Sequence, residues 1–276
     1  MGSLRLRGRV GYKWPVRFCN AALASFLLLA SAGVVLLSPR PARAFGDVGA
    51  FDPRVLLTGS QTGPARTTAP GRWSWELTQR TSAPARLQPT VVHADDAAVV
   101  DGPFLYWSGD ADVAPLTGVE MAGLRRFFAL GGVLFVDDAG AGDRGEPSPF
   151  GRAARREIAR VLPDSAPVAI GADHVLFRTF YLLRRVEGRV EGLPTIEAIV
   201  RGGQAQVLFG EHDLGGALAR GASGMWEHAV VPGGDLQREH AIRFAINVAM
   251  YVLCSNYKDD QVHAPYLMRR RALSTP

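Results

Sequence analysis

The stretch GGVLFVDDAGAG, Gly131 to Gly142, decides how the rest of the chain is read. Val133, Leu134, Phe135 and Val136 form an apolar run too short for a helix and preceded by a glycine pair, which marks a strand buried on both faces. Asp137 and Asp138 end it, and small residues follow. Directly upstream, TGVEMAGLRRFFALGG has helical spacing. Leu116, Val119, Met121, Leu124, Phe127 and Phe128 supply its apolar side, Thr117 and Glu120 stand at capping-box spacing, and Gly131 is the stop. A helix feeding a two-sided strand is the repeating unit of a parallel sheet.

The same alternation recurs outward from this unit. RVLLTG (54–59), PTVVHADD (89–96) and GPFLYWSGD (102–110) read as strands, with a helix around Trp73–Arg80 between the first two. Downstream come a polar helix, GRAARREIARVLP, and a short helix or turn, HVLFRTFYLL, that should pack Leu176, Phe177 and Phe180 inward. The arginines of the polar helix read as a solvated face. TIEAIVRGGQAQVLFGEHD reads as two strands joined by a Gly-Gly turn, and a last helix is expected over Gln237–Tyr257. The fold expected is α/β, a doubly wound, mostly parallel sheet of five to six strands. It forms one domain over residues 45–257, followed by an irregular tail, 258–276.

In such sheets ligands bind beyond the carboxyl ends of the strands. Read to their ends, the strands deliver Thr58-Gly59-Ser60, His93 with Asp95 and Asp96, Ser108-Gly109-Asp110, Asp137-Asp138 and Glu211-His212-Asp213 to one rim. Turn-forming and capping explain any one of these, and Asp110 and Asp213 in particular. The Asp137-Asp138 pair is harder to explain that way, because one cap needs one carboxylate and a second adds repulsion unless a cation or proton offsets it. The candidate ligand-binding residues are therefore Gly59, Ser108, Gly109, Asp137, Asp138, His212 and Asp213. His174, in GADHVLFRTFY, either approaches the rim or caps the helix that follows. Any metal would fall to Asp137, Asp138 and His212, although no compact ligand spacing such as HxxxH occurs.

The net charge of +5 is an effect of the leader. Residues 1–44 carry seven basic residues and no acid; removing them from the 31 basic residues leaves 24 against 26 acidic ones. The body is not basic, so a nucleic-acid partner is not expected. Phe18–Leu37 is almost continuously apolar behind a basic start, and Ala42 and Ala44 in PARAF fit a cleavage site. Residues 1–44 read as an export signal, which places the domain in the periplasm or outside the cell. The alternative is an uncleaved inner-membrane anchor with the same topology. Either way, membrane association comes only through this segment. Cys254 is the only cysteine after the leader and is expected as a small buried core side chain. The Trp73-Ser74-Trp75 pair reads as a buried helix face rather than a contact surface.

FDPRVLLTG, PFLYWSGD, LRRFFALGGVLFVDDA, DHVLFRTFYLL, VLFGEHDLGGAL and INVAMYVLCSNYKDDQVHAP, in this order, resemble the bacterial domain of unknown function 4159 family. That family is similar in fold to class I glutamine amidotransferases and ThuA-like proteins. The resemblance implies a flavodoxin-like sheet and an envelope setting, and no established reaction. In amidotransferases a nucleophilic Cys stands on the turn after a central strand; here the matching turn is VDDAG, with neither Cys nor Ser at its apex. Thiolate amidotransferase chemistry is thus disfavoured, and His212 with Glu211 or Asp213 has no nucleophile to activate. Three functions follow as expectations. The first is a non-catalytic module binding a small ligand or an envelope protein, with no cofactor. The second is a metal- or carboxylate-dependent hydrolase using Asp137, Asp138, His212 and Asp213. The third is a structural component of a membrane-associated complex.

Overall fold

A computed structural model of the chain describes residues 49–142 and 146–273, with side chains as far as residue 255. The leader expected over residues 1–44 lies outside the described residues. Seven strands form one sheet in the order β2-β1-β3-β4-β7-β6-β5: β1 (Arg54–Leu57), β2 (Val91–His93), β3 (Phe104–Gly109), β4 (Val133–Asp138), β5 (Val168–Ile170), β6 (Ile196–Arg201) and β7 (Gln204–Gly210). β2, β1, β3, β4 and β7 run parallel, whereas β6 is antiparallel to both β7 and β5. The Gly202-Gly203 turn that joins β6 to β7 has positive φ at both residues, a conformation glycine adopts without Cβ strain.

The central strands are buried on both faces, as the continuous apolar runs require. Val55, Leu57, Phe104, Tyr106, Val133 and Phe135 face one layer, made of α1 (Ala69–Thr81), α4 (Leu214–Leu218) and α5 (Gly234–Leu273). Leu56, Leu105, Trp107, Leu134 and Val136 face the other, made of α2 (Gly118–Ala129) and α3 (Pro149–Val161). Trp73 of α1 is the hub of the first layer. Its ring lies edge-on to Phe104, Tyr106 and Phe135, with centroids 5.6–5.9 Å apart, and its indole N–H donates to Ala245 O at 2.8 Å. Trp75, two residues on and so about 200° around the helix, is 40% exposed. The expectation that both indoles are buried holds for Trp73 alone.

The capping box of α2 forms as the spacing requires: Thr117 accepts from Glu120 N, and Glu120 accepts from Thr117 N at 2.8 Å. Val119, though, points to solvent. Phe180, expected inside with Leu176 and Phe177, is also exposed, because the segment makes only a 3-10 turn, Val175–Arg178, before the chain leaves the core. Cys254 is exposed rather than buried. It lies about 200° around α5 from Val252, off the stripe of Ala241, Ala245, Val248 and Val252 that meets the sheet. The same helix continues to Leu273, past the tail expected to be irregular from residue 258. Lys258–Leu273 contains no glycine, and Pro265 does not end the helix. Among the described residues no helix is long and apolar enough to cross a membrane.

Candidate functional site

β1, β3, β4 and β7 share a direction, so their carboxyl ends meet at one rim, and the polar residues quoted above gather there. They do not form one cluster. Side chains alternate across a strand, and this places Asp137 and Asp138 on opposite faces of β4. Asp137 joins the Tyr106–Phe135 side and Asp138 the Trp107–Phe150 side. Both are essentially fully buried.

Asp138 organises a loop. Its carboxylate accepts from Ser148 Oγ, from Ser148 N at 2.8 Å and from Gly140 N at 3.1 Å. Ser148 is the N-cap of α3 and accepts in turn from Gly151 N. The carboxylate sits so close to the first turn of α3 that a Cβ on Gly151 would lie 2.2 Å from Asp138 Oδ2. Asp138 is therefore a closure residue, tying the end of β4 to the helix that follows.

Asp137 belongs to a charged cluster under α4. It accepts from Tyr106 Oη at 2.6 Å, Leu214 N at 2.9 Å and Gly215 N at 2.8 Å. Asp213, the N-cap of α4, accepts from Gly216 N at 2.8 Å and pairs with two arginines: Arg66, at 2.8 Å, and Arg189. Arg66 also donates to Ala139 O, joining the loop after β1 to the turn after β4. Asp213 holds a left-handed backbone, φ 48°, which aspartate tolerates better than most residues. Gly215 and Gly216 make the approach possible. A Cβ on the first would lie 2.5 Å from Tyr106 Oη and 2.9 Å from Asp137 Oδ2; on the second, 2.3 Å from Asp213 Oδ2.

The electrostatics follow from this packing. Burial, and then the nearby charge of Asp213, lift the Asp137 carboxyl to about 7, against the opposing pull of its three hydrogen-bond donors. Burial and the Asp137 charge push the Tyr106 phenol well above its ordinary range. Burial works against the Arg66 charge, but Asp213 outweighs it and raises the pKa.

The other candidates are placed as follows. His212 is buried, and its ring reaches Leu193 O through Nε2 at 2.9 Å; Nδ1 has no hydrogen-bond partner, and burial lowers the pKa so that the ring is neutral near pH 7. With Gly192 close against the ring and the Val190 N–H donating to His212 O, it pins the 188–193 loop onto the end of β7. Asp137, Asp138 and His212 therefore do not converge, and the metal set and the four-residue hydrolase site expected from them are not assembled. Among the described residues no group of three or more His, Cys, Asp or Glu could hold a metal ion.

Gly59 has φ 53° and donates its N–H to Glu120, a loop contact rather than a ligand contact. Gly109 is a packing position, where a Cβ would lie 2.3 Å from the Phe150 ring. Ser108 pairs in register with Asp137 and shares its face; its hydroxyl is buried without a well-formed hydrogen bond. His174 caps the 3-10 turn, Nδ1 accepting from Leu176 N at 3.2 Å. Its ring lies 6.1 Å from Tyr251, whose hydroxyl accepts from Ala205 N at the start of β7, the end away from the rim. Asp213 is the candidate that does meet Asp137. Their partners Arg66, Arg189 and Tyr106 escaped sequence reasoning, which had only one usable signal: the Gly-Gly pair directly after EHDL, where a buried carboxylate needs room beside backbone N–H groups.

Two cavities among the described residues open elsewhere. One of about 440 Å³ lies at the amino ends of the strands beside Asp52, Arg54 and Arg86, and one of about 530 Å³ lies between α1 and the start of α5. A family model described as Domain of unknown function (DUF4159) matches residues 55–253, well over half of the chain. A comparison with curated proteins found no match.

Proposed function

The chain belongs to the DUF4159 family, and from that premise we propose that its domain is a non-catalytic binding module of the cell envelope. One observation carries this reading. The two rim carboxylates that come together, Asp137 and Asp213, are buried, and their oxygens are engaged by Tyr106, Arg66, Arg189 and the amides of Leu214, Gly215 and Gly216. A catalytic carboxylate needs a substrate within hydrogen-bond reach; these are closed over by protein. The basic, apolar leader supports work outside the cytoplasm, on a ligand or an envelope protein.

The amidotransferase-like, flavodoxin-like reading is part of the same proposal. The parallel block β2-β1-β3-β4-β7 follows the 2-1-3-4-5 winding of flavodoxin-like sheets. The end of β4 and the turn after it carry Asp138 and Ala139 where an amidotransferase needs a thiolate, and Cys254 lies on α5. The packing of Asp137 favours a second, catalytic reading: a carboxyl lifted to about 7 by burial and by the charge of Asp213 is suited to acid-base work.

Turnover assays separate the two. The purified full-length protein is assayed on amide, ester, phosphoester and glycoside substrates, beside Asp137→Asn and Asp213→Asn variants shown to be folded. The binding reading expects no turnover that depends on either carboxylate. Turnover lost in folded Asp137→Asn would replace it with the catalytic one.

A further inference from the structure

We propose that the pocket between α1, the start of α5 and the Arg220–Trp226 bridge is a binding site for an oxyanion, a phosphate or carboxylate group carried by a small ligand. This rests on the reading of the domain as a binding module and names the chemistry that module would recognise. The walls include Arg72 and Trp75 of α1, Arg220 and Trp226 of the bridged loop, and Arg238 and Ile242 of α5. The volume, about 530 Å³, lies within the range of small-molecule sites.

Charge placement carries the inference. Three guanidiniums surround one indole: Arg220 at 3.5 Å, Arg238 at 4.2 Å and Arg72 at 5.5 Å from the Trp226 ring centroid. Arg238 is only 5% exposed, yet the groups it donates to are two carbonyl oxygens, those of Ala217 and His228, and its Nε has no partner. A buried cation is ordinarily paired with a carboxylate. Among the described residues Arg220 makes no ion pair with a carboxylate either; it donates to Gly224 O, and its Nε too is buried and unpaired.

Among the described residues the acids on the pocket wall make no ion pair with Arg220 or Arg238. Glu76 is shared by Arg72 and Arg80, and Glu239 by Arg80 and Arg243. Asp235 is exposed and makes no ion pair among the described residues. Burial lowers the pKa of both Arg220 and Arg238; the repulsion of Arg72 adds to the fall at Arg220 against Glu76, and at Arg238 the attraction of Asp235 opposes burial while the repulsion of Arg220 adds to it. An oxyanion in the pocket would offset these charges and accept from guanidinium N–H groups that no carboxylate engages, a role in which guanidinium surpasses ammonium. Trp75, 40% exposed with Arg72 stacked 3.8 Å from its ring centroid, offers an apolar wall for whatever carries the anion.

Thermal unfolding of the full-length protein tests the site, with chloride replaced by inorganic phosphate or by succinate at constant ionic strength. A specific site raises the midpoint by about 3–6 °C when the anion is at ten times its dissociation constant. Arg220→Gln should abolish that rise, measured against the variant's own midpoint in chloride. A response to phosphate alone, to succinate alone or to both supports the site and identifies the head group. No rise with either anion in the wild type, or an equal rise in Arg220→Gln, would overturn it. Should Arg220→Gln fail to fold, tryptophan fluorescence decides: the wild type must change its emission on phosphate or succinate addition, and the Trp75→Phe, Trp226→Phe double variant must not. An unchanged wild-type emission sinks the proposal. Failure here, with carboxylate-dependent turnover still absent, removes the oxyanion site and leaves the binding reading standing. Turnover lost in Asp137→Asn removes the binding reading whatever the anions do.

Discussion

Asp137 and Asp138 are neighbours in sequence and opposites in role. One looks into the layer of α1, α4 and α5, where it meets a tyrosine, two backbone amides and the charge of Asp213. The other looks into the layer of α2 and α3, where it fastens the N-cap serine of α3. The difference teaches that a carboxylate pair at a strand end is not a pair in space. The period of two sends each to its own side of the sheet, and each must find its own donors there.

The largest effect should come from Asp213→Ala, on the Asp137 side. It uncaps α4 and takes from Arg66 and Arg189 the carboxylate both pair with, leaving Asp137 and the more distant Asp110 as counter-charges for Arg66. Breaking a buried pair in this way costs about 3–5 kcal/mol, read as a lower urea midpoint. A loss below about 1 kcal/mol would mean that the cluster behaves like a surface ion pair. Next is Asp138→Ala, which strands donors on Ser148 and Gly140 and should cost about 1–3 kcal/mol. Amide hydrogen exchange should then speed up at Gly140, Ser148 and Gly151 but not at Leu214 or Gly215. Faster exchange at both sets would dissolve the distinction between the two faces.

The pH dependence sharpens the comparison further. The Asp137 carboxyl is raised in the folded state, so its contribution to stability is full below the ordinary carboxylate range and is lost as pH rises through about 7. Stability of the wild type should therefore fall between pH 5 and 8 relative to Asp137→Asn, which cannot ionise there. Parallel pH profiles for the two proteins would show that Asp137 does not titrate in this window. The smallest effect is expected from Ser108→Ala. The buried hydroxyl beside Asp137 lacks a well-formed hydrogen bond, so its removal should shift stability by no more than about 0.5 kcal/mol. A loss well above that would reveal a hydrogen bond from Ser108 into the Asp137 cluster.

The framework was legible because strands buried on two faces must be continuously apolar, and FLYW and VLFV leave little else to choose. The same logic missed β5, whose Val168, Ala169 and Ile170 are half-buried or exposed at the sheet edge and so carry weak patterning. It also missed α4, a helix of five residues held by its cap and by Asp137 rather than by an amphipathic stripe. At the rim, sequence reasoning named Asp137 and Asp213 but gave them the wrong company. His212 went to a loop carbonyl, Gly109 to the ring of Phe150, and His174 to the far end of the sheet. Caps and close packing account for these positions, as the turn preferences of Asp, His and Gly allow.

The order of residues alone determined which of the central segments are strands and which helices flank them, that the central strands lie parallel between two layers, and that carboxylates arrive at one rim. These features are local: burial imposes a period of two or of 3.6 that a short window displays. Tertiary structure alone decided what those carboxylates do. One of the two arginines that pair with Asp213 comes from 147 residues away, and the Trp226 indole draws its guanidiniums from α1, α5 and the loop between α4 and α5. Charge pairing acts through space across folded-over loops, and no window of sequence contains both partners.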